Sequence, residues 1–390
     1  MKLEPYRILF PIGIAYALIG ALVWPLHAAG RMPYPGPLHR ALMIQGFELS
    51  FVLGFLLTAL PGFLHAGRAT SFEIAAATTL TLGFGAFALA YQMAAAQGCF
   101  VLAVGLLAIV ALQRFARASR PPAMELMFVA VGITLGLAGG ITSLADAAGW
   151  RAEPLPGFGL RMVSLGMVLS MVMGVGGLLV PTFTGVRDPL LIAGIAAPHE
   201  AAGRRLFYGL VAALFLLAFG LESRGARTAG AWVRALAATP VFLMVWKLAR
   251  PPARRDLFTT VLRGAGFCAL AGLWLAALLP RWWLAAYHVL FVGGFGLLTL
   301  GIATRVVVAH GGHPHELERR LLGPWAAGGV ALALIARVAG ELLPASYFAL
   351  LTLSALLWSG GWLAWAWRAL PLIAAPRRAA VAAAPPDGSR

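Results

Sequence analysis

The chain has 390 residues, 61% of them hydrophobic and only 11% charged, with a net charge of +16 at neutral pH. A soluble domain carries roughly 25% charged residues, so this composition excludes a water-soluble fold. The basic residues stand in short gaps between apolar runs, where lipid headgroups and membrane topology account for them, so no nucleic-acid partner is implied.

Apolar runs of spanning length follow one another at 8–27, 38–61, 70–94, 98–116, 123–149, 161–185, 204–222, 229–249, 258–280, 282–308, 322–343 and 346–369. Each is near the ~20 residues that cross a bilayer as a helix. The first run follows KLEPYR directly and ends at WPLH without a small-residue cleavage site, so it reads as a membrane helix. Turn chemistry marks the breaks: RMPYPGP, SRPP, RAEPLPG, RDP, ARPPARRD and GGHPHE. The fold class is all-α, a polytopic transmembrane bundle of about 12 helices. Residues 1–370 form one transmembrane domain, and 371–390 read as a disordered cytoplasmic tail. Twelve spans place both termini on one side. With that side cytoplasmic, its segments collect about nineteen Lys and Arg against about eight opposite, so the positive-inside rule puts both ends in the cytoplasm.

The tenth run, YHVLFVGGFGLLTLGIATRVVVAHGGHP, carries a histidine near each end. At ~1.5 Å rise per residue, His288 and His310 stand ~33 Å apart, about the hydrocarbon thickness of a bilayer. They cannot share one metal. The histidines therefore fall into two layers: His27, His39 and His288 on the outer side, and His65, His199, His310, His313 and His315 on the cytoplasmic side. Neutral imidazole ligates haem iron and copper, and two histidines at equal depth on different helices can clamp a haem. His39 and His288 match in depth and form the best pair; His310 and His27 are further candidate metal ligands. The sequence does not say whether the second and tenth helices are neighbours. No CxxCH is present, which argues against covalently attached c-type haem.

Glu48 lies ~13 Å deeper than His39 along the second helix and is the candidate proton relay. Arg305 precedes His310 by about one turn. Arg263 and Arg337 read as snorkelling side chains near helix ends. Met162, Met167, Met171 and Met173 read as a packing face, HGGHPH as a solvated turn, and Cys99 and Cys268 as two packed thiols.

Two stretches resemble the signatures of the NnrS family. LHRALMIQGFELSFVLGFLLTALPGF is similar to its second-helix signature, with a histidine at the start and GFLLTA-x-P at the end. Tyr287 to Pro314 is similar to the other, with His288, Gly293–Gly296, Thr304–Arg305 and His310–Gly312 in order. GGLLVPTFTG resembles a weaker third segment. The resemblance implies a bacterial inner-membrane protein with haem b and copper, associated with nitric oxide and denitrification. It carries over to His39, His288, Arg305 and His310 as cofactor- or metal-binding residues. The chain departs from the family's H-x-H-E with His39-Arg40-Ala41-Leu42, and from its Gly-Gly-Arg with Gly176-Gly177-Leu178.

Three functions stay open at this point. One is a haem or haem–copper oxidoreductase that reduces or detoxifies nitric oxide, drawing on a quinol or another electron donor. Another is a non-catalytic haem protein that senses or sequesters nitric oxide or a related small gas. The third is a membrane transporter, against which stand the lack of an inverted repeat and the few polar residues at mid-membrane depth.

Overall fold

The computed structural model describes residues 4–119, 122–150, 154, 156–186 and 198–375. Among them there is no strand, and 12 helices are long and apolar enough to cross a membrane. They are α1 (Tyr6–Ala28), α2 (Gly36–Phe63), α3 (Ser71–Leu89), α4 (Met93–Ala116), α5 (Leu126–Ala147), α6 (Phe158–Phe183), α7 (Ala202–Ser223), α8 (Arg227–Val245), α9 (Leu257–Leu278), α10 (Pro280–Gly311), α11 (Leu317–Leu342) and α12 (Pro344–Ala374). Each predicted run holds one of them. Helix α12 continues to Ala374, and the predicted tail beyond residue 375 lies outside the described residues.

Local chemistry sets several ends. Thr70 caps α3 in a reciprocal box with Glu73, and Asp256 caps α9 in the same way with Thr259. Gly312, at φ +69°, closes α10 in the left-handed conformation, and the His313 N–H then donates back to the Val308 carbonyl at 2.9 Å.

Nine helices form a closed ring in the order α1, α3, α4, α5, α7, α8, α9, α11, α12 and back to α1, each touching the next. The remaining three, α2, α6 and α10, stand inside it. Their apolar windows are 83%, 89% and 78% buried, against 39–56% for the ring helices. The ring turns Leu102, Ile109, Leu112, Leu206 and Ile335 outward, as a lipid-facing surface does. Lipid tails are as apolar as leucine, so small residues decide which helices approach closely. At Gly272 of α9 an added Cβ would lie 2.6 Å from the Leu290 backbone nitrogen of α10. At Gly176 of α6 it would lie 1.9 Å from the Trp246 ring, whose Nε1–H donates to the Met173 carbonyl at 3.1 Å. The Gly176-Gly177 pair is thus a packing joint with the end of α8.

The inner helices share a further feature. Each opens with a wide π-helical stretch near the same membrane face: Ala41–Glu48, Met162–Val168 and Val289–Gly296. Gly46, Gly54 and Pro61 of α2 recur at one spacing as Gly166, Gly174 and Pro181 of α6. The chain therefore runs as three four-helix units, α1–α4, α5–α8 and α9–α12, each giving its second helix to the centre. The units are parallel, not inverted. Arg7 donates to the carbonyls of Ile373 and Ala375, so both ends of the described chain meet on the His310 face.

Candidate functional site

His39 stands in the first turn of α2, just before its π-helical stretch, with Pro37 at the helix start where a missing N–H costs nothing. Its Nδ1 lies 2.6 Å from the Gly20 carbonyl of α1. His288 stands just before the equivalent stretch of α10, with Nδ1 2.7 Å from the Leu284 carbonyl. A carbonyl only accepts, so in both rings the proton sits on Nδ1 and Nε2 keeps a bare lone pair. That is the tautomer and anchoring of a metal-ligating histidine. Neither Nε2 has a protein hydrogen bond among the described residues.

The two rings are close enough to interact electrostatically, and both also feel Arg337. The adjacency left open by the sequence is settled deeper in the membrane: Thr299 Oγ1 of α10 donates to Glu48 Oε2 of α2 at 3.2 Å. Trp24 packs edge-on against His39 at 5.6 Å between centroids and against His27 at 6.4 Å. His27 donates from Nδ1 to the Met32 carbonyl at 3.0 Å and lies at the rim, between Tyr34 and Phe348.

Arg337 was missed as a site residue by sequence reasoning. It does not snorkel: it is 5% exposed, on the helix that packs against the His288 end of α10. Its Nη2 donates to Glu341 at 2.8 Å, one turn on, while Nη1 is buried without a partner. The Tyr347 ring lies 5.6 Å from the guanidinium. An arginine near a helix end carries no sequence signal for which way it faces, so only the ring geometry identifies it.

Glu48 closes the π-helical stretch of α2 and is 5% exposed. Gln45, three residues earlier, forms a reciprocal amide pair with Gln97 of α4 at 2.7 and 2.8 Å. These groups give α2 a polar lining that runs inward from His39.

The opposite membrane face holds the other predicted residues. Arg305 and His310 lie ~25 and ~33 Å further along α10 than His288, and the structure does not bring them to the His39–His288 pair. Arg305 Nη1 pairs with Glu318 at 3.0 Å, and its guanidinium stacks on Phe183 and Phe258 at 4.4 and 5.0 Å. His310 Nδ1 is 3.3 Å from Glu4. The turn read as solvated instead buries His313 at 7% exposure, because Gly312 folds the chain back over the helix end. A cleft of about 950 Å³, with Arg319, Arg320, Trp325, Trp367 and Arg368 among its lining residues, opens on this face between α11 and α12, away from the histidine pair. No group of three or more His, Cys, Asp or Glu side chains is placed to hold a metal ion among the described residues.

A model of one protein family, described as NnrS protein, matches residues 2–377. The comparison with curated proteins finds no match.

Proposed function

The chain belongs to the NnrS family and is a multi-pass membrane protein related to nitric oxide; from that premise we propose that it binds non-covalent haem b between His39 and His288 and handles nitric oxide there. The observation that carries this reading is the matched pair of imidazoles, each with its Nδ1–H committed to a carbonyl and its Nε2 left bare, on two adjacent inner helices.

The surrounding residues fit the group. Haem carries two propionates, and the unused Nη1 of Arg337 supplies a buried cationic donor beside the histidines. When bound, haem would supply one-electron chemistry and an iron that takes nitric oxide. The chain's own residues do the rest. The Gly20 and Leu284 carbonyls orient the imidazoles, and Trp24 packs against His39 and hinders its rotation. Glu48 holds a carboxyl on the same α2–α10 seam, where Thr299 fixes one oxygen and a proton can be held for delivery towards the histidine layer.

A second reading, binding of nitric oxide without turnover, is favoured by one observation. Among the described residues no group of three or more donors stands ready for a second metal beside a haem that His39 and His288 would hold. Reduction of nitric oxide would further need a quinol or another electron donor. The reading places the protein in the bacterial inner membrane with both termini cytoplasmic. A periplasm-active reporter fused to the C-terminal tail should then be silent.

Pyridine haemochrome analysis of the purified protein, with iron and copper measured on the same sample, tests the proposal. The expected result is a b-type spectrum with one iron per chain. Folded protein from a haem-replete host without a Soret band would remove both readings. The same sample, reduced and given nitric oxide, separates them by whether the gas is consumed beyond one equivalent.

A further inference from the structure

The second four-helix unit carries no histidine at its inner-helix entrance. It carries Arg161, one residue before the π-helical stretch of α6. Around it the chain has gathered Glu222 from the end of α7 and Arg234 from α8. Arg234 Nη2 donates to Glu222 Oε1 at 2.7 Å, with side-chain exposures of 1% and 3%. Arg161 Nε lies 3.8 Å from Glu222 Oε2, too far for a hydrogen bond, at 21% exposure. Gly230 permits this arrangement: a Cβ there would sit 2.7 Å from the Glu222 side chain.

Two features separate this cluster from a structural ion pair. The first is charge. Two guanidiniums face one carboxylate. The exposed Arg227 adds further positive charge nearby. Among the described residues one positive charge is therefore left over, on a guanidinium held 3.8 Å from a carboxylate it shares. The second is unused donors. Among the described residues, Arg161 Nε and Nη2 and Arg234 Nε are buried with no hydrogen-bond partner. The Arg114–Glu73 pair of α3 and α4 shows what a closed pair looks like in the same molecule. Both its guanidinium nitrogens reach the carboxylate at 2.6 Å, and Nη2 also reaches the Arg68 carbonyl.

We propose that Arg161 and Arg234 form an anion-binding site, distinct from the histidine pair, that takes a carboxylate or a small oxyanion in a forked, charge-assisted contact. The site adjoins the histidine layer through Tyr287, which interacts with Arg161, Glu222 and Arg234 and directly precedes His288 in α10. Its anion therefore has two sources: a propionate of the proposed haem, which rests on the reading above, or a free oxyanion entering from the His39 face.

The test uses the full-length purified protein in nanodiscs, as wild type, Arg161→Gln and Arg161→Lys. One arm records the haem propionate bending band by resonance Raman. The other measures the saturable rise in unfolding temperature with acetate and with nitrite, against chloride at equal ionic strength. If the anion is a propionate, Arg161→Gln shifts the bending band, Arg161→Lys shifts it less, and added anions protect no variant. If the anion is free, acetate or nitrite protects wild type with saturation, Arg161→Gln weakens that affinity by roughly tenfold or more, and the bending band stays put. A bending band unchanged in both variants, together with no saturable protection of wild type, overturns the proposal. Wild type that folds without haem sinks the histidine reading alone, and the anion arm then decides this one. If Arg161→Gln fails to fold, wild type and Arg161→Lys still decide both arms.

Discussion

The arginines of the two membrane faces are treated differently. On the His310 face several of them end on partners. Arg114 grips Glu73 with two nitrogens, Arg204 meets Glu125, Arg263 caps the Leu248 and Arg250 carbonyls, and Arg7 ties the two chain ends together. Arg305 keeps one nitrogen, Nε, unpartnered among the described residues, but its guanidinium packs on two phenyl rings and is paired with Glu318. On the His39 face, Arg337, Arg161 and Arg234 are all buried or largely buried and all keep N–H groups without partners among the described residues. A buried donor left unmade costs ~1–3 kcal/mol, so evolution of a purely structural protein would close these contacts. One face is fastened, and the other keeps cationic donors that the proposed haem or a small anion would satisfy.

Replacing residues on the two faces breaks or sharpens this contrast. The largest effect belongs to the fastened face. Arg114→Ala leaves Glu73 buried without its partner and should lower stability by ~3–5 kcal/mol, read as a lower unfolding temperature, without moving the absorption spectrum of the folded fraction. Glu48→Gln should leave the haem spectrum intact and slow nitric oxide consumption by ~100-fold where turnover occurs, as loss of a positioned proton donor does; an unchanged rate would remove Glu48 from the proton path. Arg337→Gln should weaken haem affinity by roughly tenfold in a titration of the apoprotein, since outer-shell partners of bound groups contribute on that scale. Equal haem affinity in wild type and variant would return Arg337 to a structural role. The smallest effect is Arg305→Lys, which keeps the charge and loses the plane packed on Phe183 and Phe258. It should cost ~1 kcal/mol of stability and leave the affinity of the proposed haem site unchanged.

Much of the architecture was legible in the sequence because a bilayer demands ~20 apolar residues per span, and the chain supplies them twelve times between turn residues. The depth of His39 and His288 was legible for the same reason, since rise per residue converts sequence position into height. What lay beyond the sequence was lateral arrangement. All twelve runs are similarly apolar, so nothing in their composition marks α2, α6 and α10 as the inner three. Their placement depends on close contacts such as Gly272 against Leu290 and Gly176 against Trp246, which are pairwise and appear only in three dimensions. The same limit hid Arg337, whose position near a helix end fits a snorkelling side chain equally well. It also hid His313, turned inward by one left-handed glycine at 312. The parallel spacing of Gly46, Gly54 and Pro61 with Gly166, Gly174 and Pro181 was open to inspection, but a search for inverted repeats passes over it.

The central claim is that the His39 face, through His39 and His288, holds the haem. The absorption spectra of three single variants test it most directly. His288→Ala should abolish or reshape the Soret band, and His39→Ala should do the same or convert a six-coordinate spectrum to a five-coordinate one. His310→Ala, ~33 Å further along α10, should leave the band unchanged. A spectrum lost in His310→Ala and intact in His288→Ala would put the cofactor on the opposite face and contradict the account.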